Sequence, residues 1–115
     1  MRRVVVTGIG LLSTIGNNLN DTWSNLIKGK SGIKKITHFD VSELPCKIAG
    51  YISNNPEDEN YFNAESLIET KDIKRNDRFI QYGLVAAKMA YDDAGLSNLS
   101  EANKLKAGVS VGSGI

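Results

Sequence analysis

The chain has 115 residues, 41% of them hydrophobic and 23% charged, the make-up of an ordinary globular protein rather than of a disordered or fibrous one. Its 14 basic and 13 acidic side chains nearly cancel, so no overall charge draws it to nucleic acid. A lone cysteine excludes an internal disulfide, one cysteine with one histidine makes no credible metal site, and no apolar run approaches the roughly 18 residues of a membrane span.

In chain order, Arg3 to Thr7 is a β-branched run ending at Gly8, the pattern of a strand buried on both faces. It is too short and too broken by glycine for a secretory leader, so a cytoplasmic chain is expected. A glycine-punctuated loop follows to Gly16. Asn20 or Asp21 is placed to cap a helix through Trp23, Leu26 and Ile27, with Gly29 as its stop. Lys30 to Pro45 reads as irregular, anchored by Ile33, Ile36 and Phe39, and Lys47 to Ile52 as a short strand. A polar stretch over 54–63 leads into a helical turn near Ala64 to Glu69.

The spacing predicts the longest helix from Asp77 to Ala94, with Phe79, Tyr82, Gly83, Ala86, Met89, Ala90 and Ala94 recurring every three or four residues. That stripe is rich in small residues, so another element is expected to approach it closely. Gly95 ends the helix, Ser100 caps one more turn, and Lys106 to Val111 is a second strand of the buried type, entering Gly112-Ser113-Gly114. The order of elements predicts an α/β layered fold in a single partial domain over residues 1–115. An apolar strand normally leads into a covering element, so the stop at Ile115 is expected to be a cut within that domain.

Few side chains suggest chemistry. Gly8-Ile9-Gly10 after a strand evokes a dinucleotide loop, but Ser13 stands where the third glycine belongs and no acidic residue lies near position 28, so a tight turn is the stronger reading. Cys46 follows Pro45 with only Lys47 beside it, and is expected to be a small buried apolar residue rather than a nucleophile. His38, among turn residues, is expected to make structural hydrogen bonds. Lys71, Lys74, Arg75 and Arg78 form a basic cluster, and helical geometry would align Lys71, Lys74 and Arg78 on one face. A solvated helix face and a docking patch for an anionic partner both fit. Asp72 and Asp77 dilute the charge and favour an acidic protein over a nucleic acid.

The wording of the sequence settles more than its chemistry. Val4-Val5-Val6-Thr7-Gly8-Ile9-Gly10, Gly16-Asn17, Trp23-Ser24-Asn25-Leu26 and Gly29-Lys30-Ser31-Gly32-Ile33 come first. Thr37-His38-Phe39-Asp40, Lys47-Ile48-Ala49-Gly50, Arg78-Phe79-Ile80-Gln81-Tyr82-Gly83 and Gly112-Ser113-Gly114-Ile115 follow in order. Each piece alone is weak, but the ordered series resembles the β-ketoacyl-acyl-carrier-protein synthases, and among them the elongating type II class. Thr14, Asn76 and Cys46 depart from residues common in that family, namely proline, methionine and a small residue such as valine.

The resemblance implies a thiolase-like αβαβα sandwich of two related halves, of which this chain would supply the opening part of the first. It implies fatty acid chain elongation by decarboxylative condensation, with no cofactor, and a homodimer as the full-length assembly. The family's nucleophilic cysteine and two histidines would lie beyond Ile115, and Cys46 and His38 match none of them. It further implies that Lys71, Lys74 and Arg75 dock the acidic acyl carrier protein, and that Ile115 gates the acyl pocket. A non-catalytic partner subunit that sets chain length is the alternative within the family. An independent small α/β binding domain is the alternative outside it.

Overall fold

The computed structural model describes residues 1–114. Six regular elements appear in order: α1 (Leu19–Ile27), β1 (Ile33–Lys35), β2 (Ile48–Gly50), α2 (Thr70–Arg75), α3 (Arg78–Asp93) and α4 (Glu101–Lys104), with short 3-10 turns at Ala64–Ser66 and Leu96–Asn98. The fold is mixed helix and strand, as the periodicities predict.

Helix α1 is capped two or three residues earlier than expected. Asn18, not Asn20 or Asp21, holds the N-terminus, its Oδ1 accepting from the Asp21 N–H at 2.9 Å. Gly29 ends the turn in the left-handed region at φ 68°. The apolar stripe of α1 is uncovered, with Trp23 61%, Leu26 57% and Ile27 67% exposed. Strands β1 and β2 pair antiparallel with Ile33 opposite Gly50 and Lys35 opposite Ile48, so part of the stretch expected to be irregular is a strand. Their connection is anchored by Val41, which is buried, whereas the expected anchors Ile33 and Phe39 are exposed. Lys47 organises this connection, its ammonium donating to the carbonyls of Val41, Ser42 and Leu44 at 3.1, 2.7 and 3.3 Å.

Helix α3 matches its predicted span, with Asp77 and Ala94 as the flanking residues and Gly95 left-handed at φ 65°. Its small-residue face is covered as expected from Ala86 to Ala94, whereas Gly83 faces open space. A Cβ on Gly8 would lie 2.5 Å from the Ala90 carbonyl oxygen, and one on Gly10 2.0 Å from that of Ala86. The segment before the first helix thus crosses α3 in backbone-to-helix contact that glycine alone permits. The Ile9 N–H donates to the Asp93 carboxylate at 2.8 Å beside it. The buried residues of α3 are Gln81 and Val85, while Phe79, placed in the buried stripe by its spacing, is exposed.

Two expected strands are absent among the described residues. Residues 3–7 and 106–111 carry no strand pairing, and Val4, Val5, Val6, Val109 and Val111 are all exposed. A parallel-type central strand exists only with neighbours on both edges to take its N–H and C=O groups. The one ladder among the described residues is β1–β2, far too small to receive them.

The surface carries the same message. It amounts to 9038 Å², against about 6,200 Å² for a folded monomer of this mass. The Cα radius of gyration is 17.1 Å, against about 13 Å for a compact domain of this length. Buried apolar side chains among the described residues are Val41, Phe62 and Val85. Such a core does not support the independent small binding domain held open above.

Candidate functional site

The sequence offers two candidate features, a basic patch and an acyl-side residue. The patch lies on α2, a six-residue helix whose last turn holds Lys74 and Arg75. Cations there face the negative end of the helix dipole, which favours them. Both are exposed, and neither has a carboxylate partner among the described residues. Lys71 is different. Its ammonium lies 2.6 Å from the Glu69 carboxylate. That hydrogen bond and its charge raise the Lys71 pKa and lower that of Glu69. Lys71 therefore meets an incoming anion only in competition with Glu69.

Arg78 leaves the cluster. The chain turns extended at Asn76, φ −115° and ψ 137°, so α2 and α3 are separate helices and the expected single face does not form. Arg78 opens α3 and lines a cleft with Thr14, His38, Tyr51 and Tyr82 instead.

The residue that positions the patch was not singled out in the sequence. Gln81 is buried, and its Nε2 donates to the carbonyls of Asn76 at 2.8 Å and Ile73 at 3.2 Å. It satisfies the end of α2 from the first turn of α3 and so fixes the elbow that presents Lys74 and Arg75. An amide on an otherwise apolar face four residues after the Asp77 start was the available signal.

Neither residue first considered for chemistry is built for it. Cys46 is exposed, not buried as expected, because the turn ahead of β2 faces solvent; its Sγ donates to the Ile48 carbonyl at 3.3 Å. Among the described residues His38 makes aromatic contacts rather than the expected hydrogen bonds, with ring centroids 4.6 Å from Tyr51 and 4.9 Å from Phe39.

Ile115, the expected acyl gate, lies outside the described residues. The segment leading to it forms an apolar cleft of about 420 Å³ with α3, between Val109, Val111 and Gly112 on one side and Phe79, Ile80 and Leu84 on the other. No helix among the described residues is long and apolar enough to cross a membrane.

Comparison with known proteins decides the family. Residues 1–115, the whole chain, match the beta-ketoacyl synthase N-terminal domain. The chain belongs to the β-ketoacyl synthase family. Among its β-ketoacyl synthase relatives, the 3-oxoacyl-[acyl-carrier-protein] synthase 2 of Coxiella burnetii is 40% identical over 99% of this chain and 26% of its own length. The Staphylococcus aureus (strain COL) protein of that name is 44% identical over 99% of this chain and 26% of its own. A solved structure, the ishigamide ketosynthase/chain length factor, matches with a TM-score of 0.70 at 33% identity, over 89% of this chain and 23% of that one. The chain thus spans about a quarter of the length of the β-ketoacyl synthases it resembles.

Proposed function

We propose that the protein containing this chain elongates fatty acids as a β-ketoacyl-acyl-carrier-protein synthase, and that α2 is part of the surface that receives the carrier protein. The observation that carries the docking reading is Lys74 and Arg75, exposed and without a carboxylate partner among the described residues, on a short helix held by Gln81. The relatives' names, which specify acyl carrier protein, supply the partner. A basic surface of this kind speeds and orients encounter with an acidic protein more than it adds affinity.

In the proposed reaction a cysteine thiolate attacks the thioester of an acyl-carrier protein, forming acyl-cysteine and expelling the carrier's thiolate. Malonyl-carrier protein then loses carbon dioxide. The carbanion left behind attacks the acyl-cysteine carbonyl and expels the thiolate, giving a 3-oxoacyl-carrier protein two carbons longer. Cys46 and His38 have no part in this, given their geometry, and the 115-residue chain alone is expected to be inactive. The αβαβα sandwich, the homodimer, a cytoplasmic location and the gating role of Ile115 belong to the same proposal. The apolar cleft ahead of Ile115 supports the last of these.

The test is kinetic. In a condensing enzyme carrying this chain as its N-terminal segment, Lys74→Glu with Arg75→Glu raises KM for carrier-bound acyl groups about tenfold. It leaves the reaction with small free thioesters unchanged; equal loss with both substrates overturns the docking role. A second reading, a non-catalytic subunit that sets chain length, is favoured by the likeness to the ishigamide ketosynthase/chain length factor. Acylation of the intact protein by radiolabelled substrate separates the two, since only the enzyme forms a covalent acyl-cysteine.

A further inference from the structure

Residues 54–61 leave the chain at Ser53 and return at Phe62, each only 2% exposed. The Phe62 N–H donates to the Ser53 carbonyl at 2.8 Å and closes the loop at its base. The Phe62 ring meets Tyr82 of α3 edge-on, with centroids 5.0 Å apart. Both ends of the loop are therefore fixed. The body between them has no buried residue, so apolar packing does not hold it down.

What holds it is polar. Glu59 pairs with Lys30 at 2.5 Å, and Asp58 with Lys34 at 3.0 Å. The Asn60 amide donates to the Thr14 carbonyl at 3.4 Å, and the Asn17 amide to that of Tyr61 at 2.7 Å. Beneath lies a cleft of about 230 Å³, lined by Thr14, Ser31, Gly32 and the two ion pairs. The Lys34 ammonium also sits 4.4 Å from the centre of the Tyr51 ring, which keeps it in place when its carboxylate leaves.

We propose that residues 54–61 are an electrostatic strap, fastened over this cleft by the Lys30–Glu59 and Lys34–Asp58 pairs, which opens as a unit on the Ser53–Phe62 closure when those pairs are broken. Partly exposed pairs contribute little each, and a segment held by two of them belongs among the regions that open locally while the rest stays folded. The screening length falls from about 10 Å at 0.1 M salt to about 3 Å at 1 M, so salt is a natural release.

Hydrogen exchange of the 54–61 amides in the intact protein that carries this chain, read by mass spectrometry, tests this. In the unaltered protein, exchange is faster at 1 M than at 0.1 M sodium chloride. With Asp58→Asn and Glu59→Gln together it rises about three- to twentyfold and loses its salt dependence, while α1 and α3 keep their parental rates. Exchanging the partners, Lys34→Asp with Asp58→Lys, restores part of the protection that Asp58→Asn alone removes. Parental exchange in the double variant overturns the proposal. So does an acceleration spread equally over α1 and α3, which would make the pairs general supports of the fold.

Discussion

The contact of residues 8–10 with α3 makes a quantitative prediction at Gly10. In Gly10→Ala the new Cβ would stand 2.0 Å from the Ala86 carbonyl oxygen, 2.5 Å from the Ala90 nitrogen and 2.8 Å from the Met89 Cβ. The first two are backbone atoms of a helix and cannot swing aside. Unstrained contact begins near 3.5 Å, so the segment must lift by about 1.5 Å. Overpacking of this kind costs about 1–3 kcal/mol. The lift also breaks the Ile9 N–H to Asp93 hydrogen bond, adding about 1 kcal/mol for an exposed site. The expected loss is therefore about 2–4 kcal/mol in urea denaturation of the intact protein that carries this chain. The two effects share one contact, so Gly10→Ala costs measurably less in an Asp93→Ala background than alone. A loss below about 0.5 kcal/mol, the range of ordinary surface changes, would refute the crossing contact.

Other predictions follow from the same geometry. Gly83→Ala places a methyl in open space within α3 and stabilises the protein by about 0.5–1 kcal/mol; thermal denaturation showing a loss would mean that face is covered. Asn18→Ala removes the cap of α1 and costs about 1 kcal/mol, measured as a change in urea midpoint, while Asn20→Ala costs almost nothing. Gln81→Leu leaves the Ile73 and Asn76 carbonyls without their donor and speeds exchange of the α2 amides more than those of α3. The pH dependence of the strap is set by its carboxylates. The Ser53 hydroxyl and then Lys34 hold the Asp58 pKa down, and the Lys30 hydrogen bond does so for Glu59. A lowered folded-state pKa stabilises above the unfolded value, about 4, and that gain is lost as pH falls through the folded value. Carboxyl carbon shifts should therefore titrate below the ordinary range at both residues; midpoints at or above it would contradict the pairing.

The extent to which the sequence revealed this structure follows from where each element finds its partners. Helix α3 was legible to within a residue, because its spacing, small-residue face and Gly95 all act locally or on the chain's own first segment. The cap at Asn18 was harder to place, since Asn17, Asn18, Asn20 and Asp21 are all cap-type residues and only hydrogen-bond geometry separates them. The runs 3–7 and 106–111 misled for the opposite reason. Their β-branched residues record a sheet environment that the described residues do not supply. Cys46 misled similarly, its apolar character suggesting a burial that the turn before β2 does not provide. Lys74 and Arg75 were legible as charge. Their difference from Lys71 and Arg78 was not, because it depends on Glu69 folding back and on the chain turning at Asn76. The family is carried by the ordered motifs from Val4 to Gly114 and not by the spacing of any one element.

The most direct test of the docking claim is a titration of the isotope-labelled protein with acyl carrier protein, followed by amide chemical shifts. Shifts concentrated over residues 70–76, weakened by salt and abolished by Lys74→Glu with Arg75→Glu, are the predicted result. Binding that leaves those amides unmoved, or that survives the charge reversal at unchanged affinity, would contradict it.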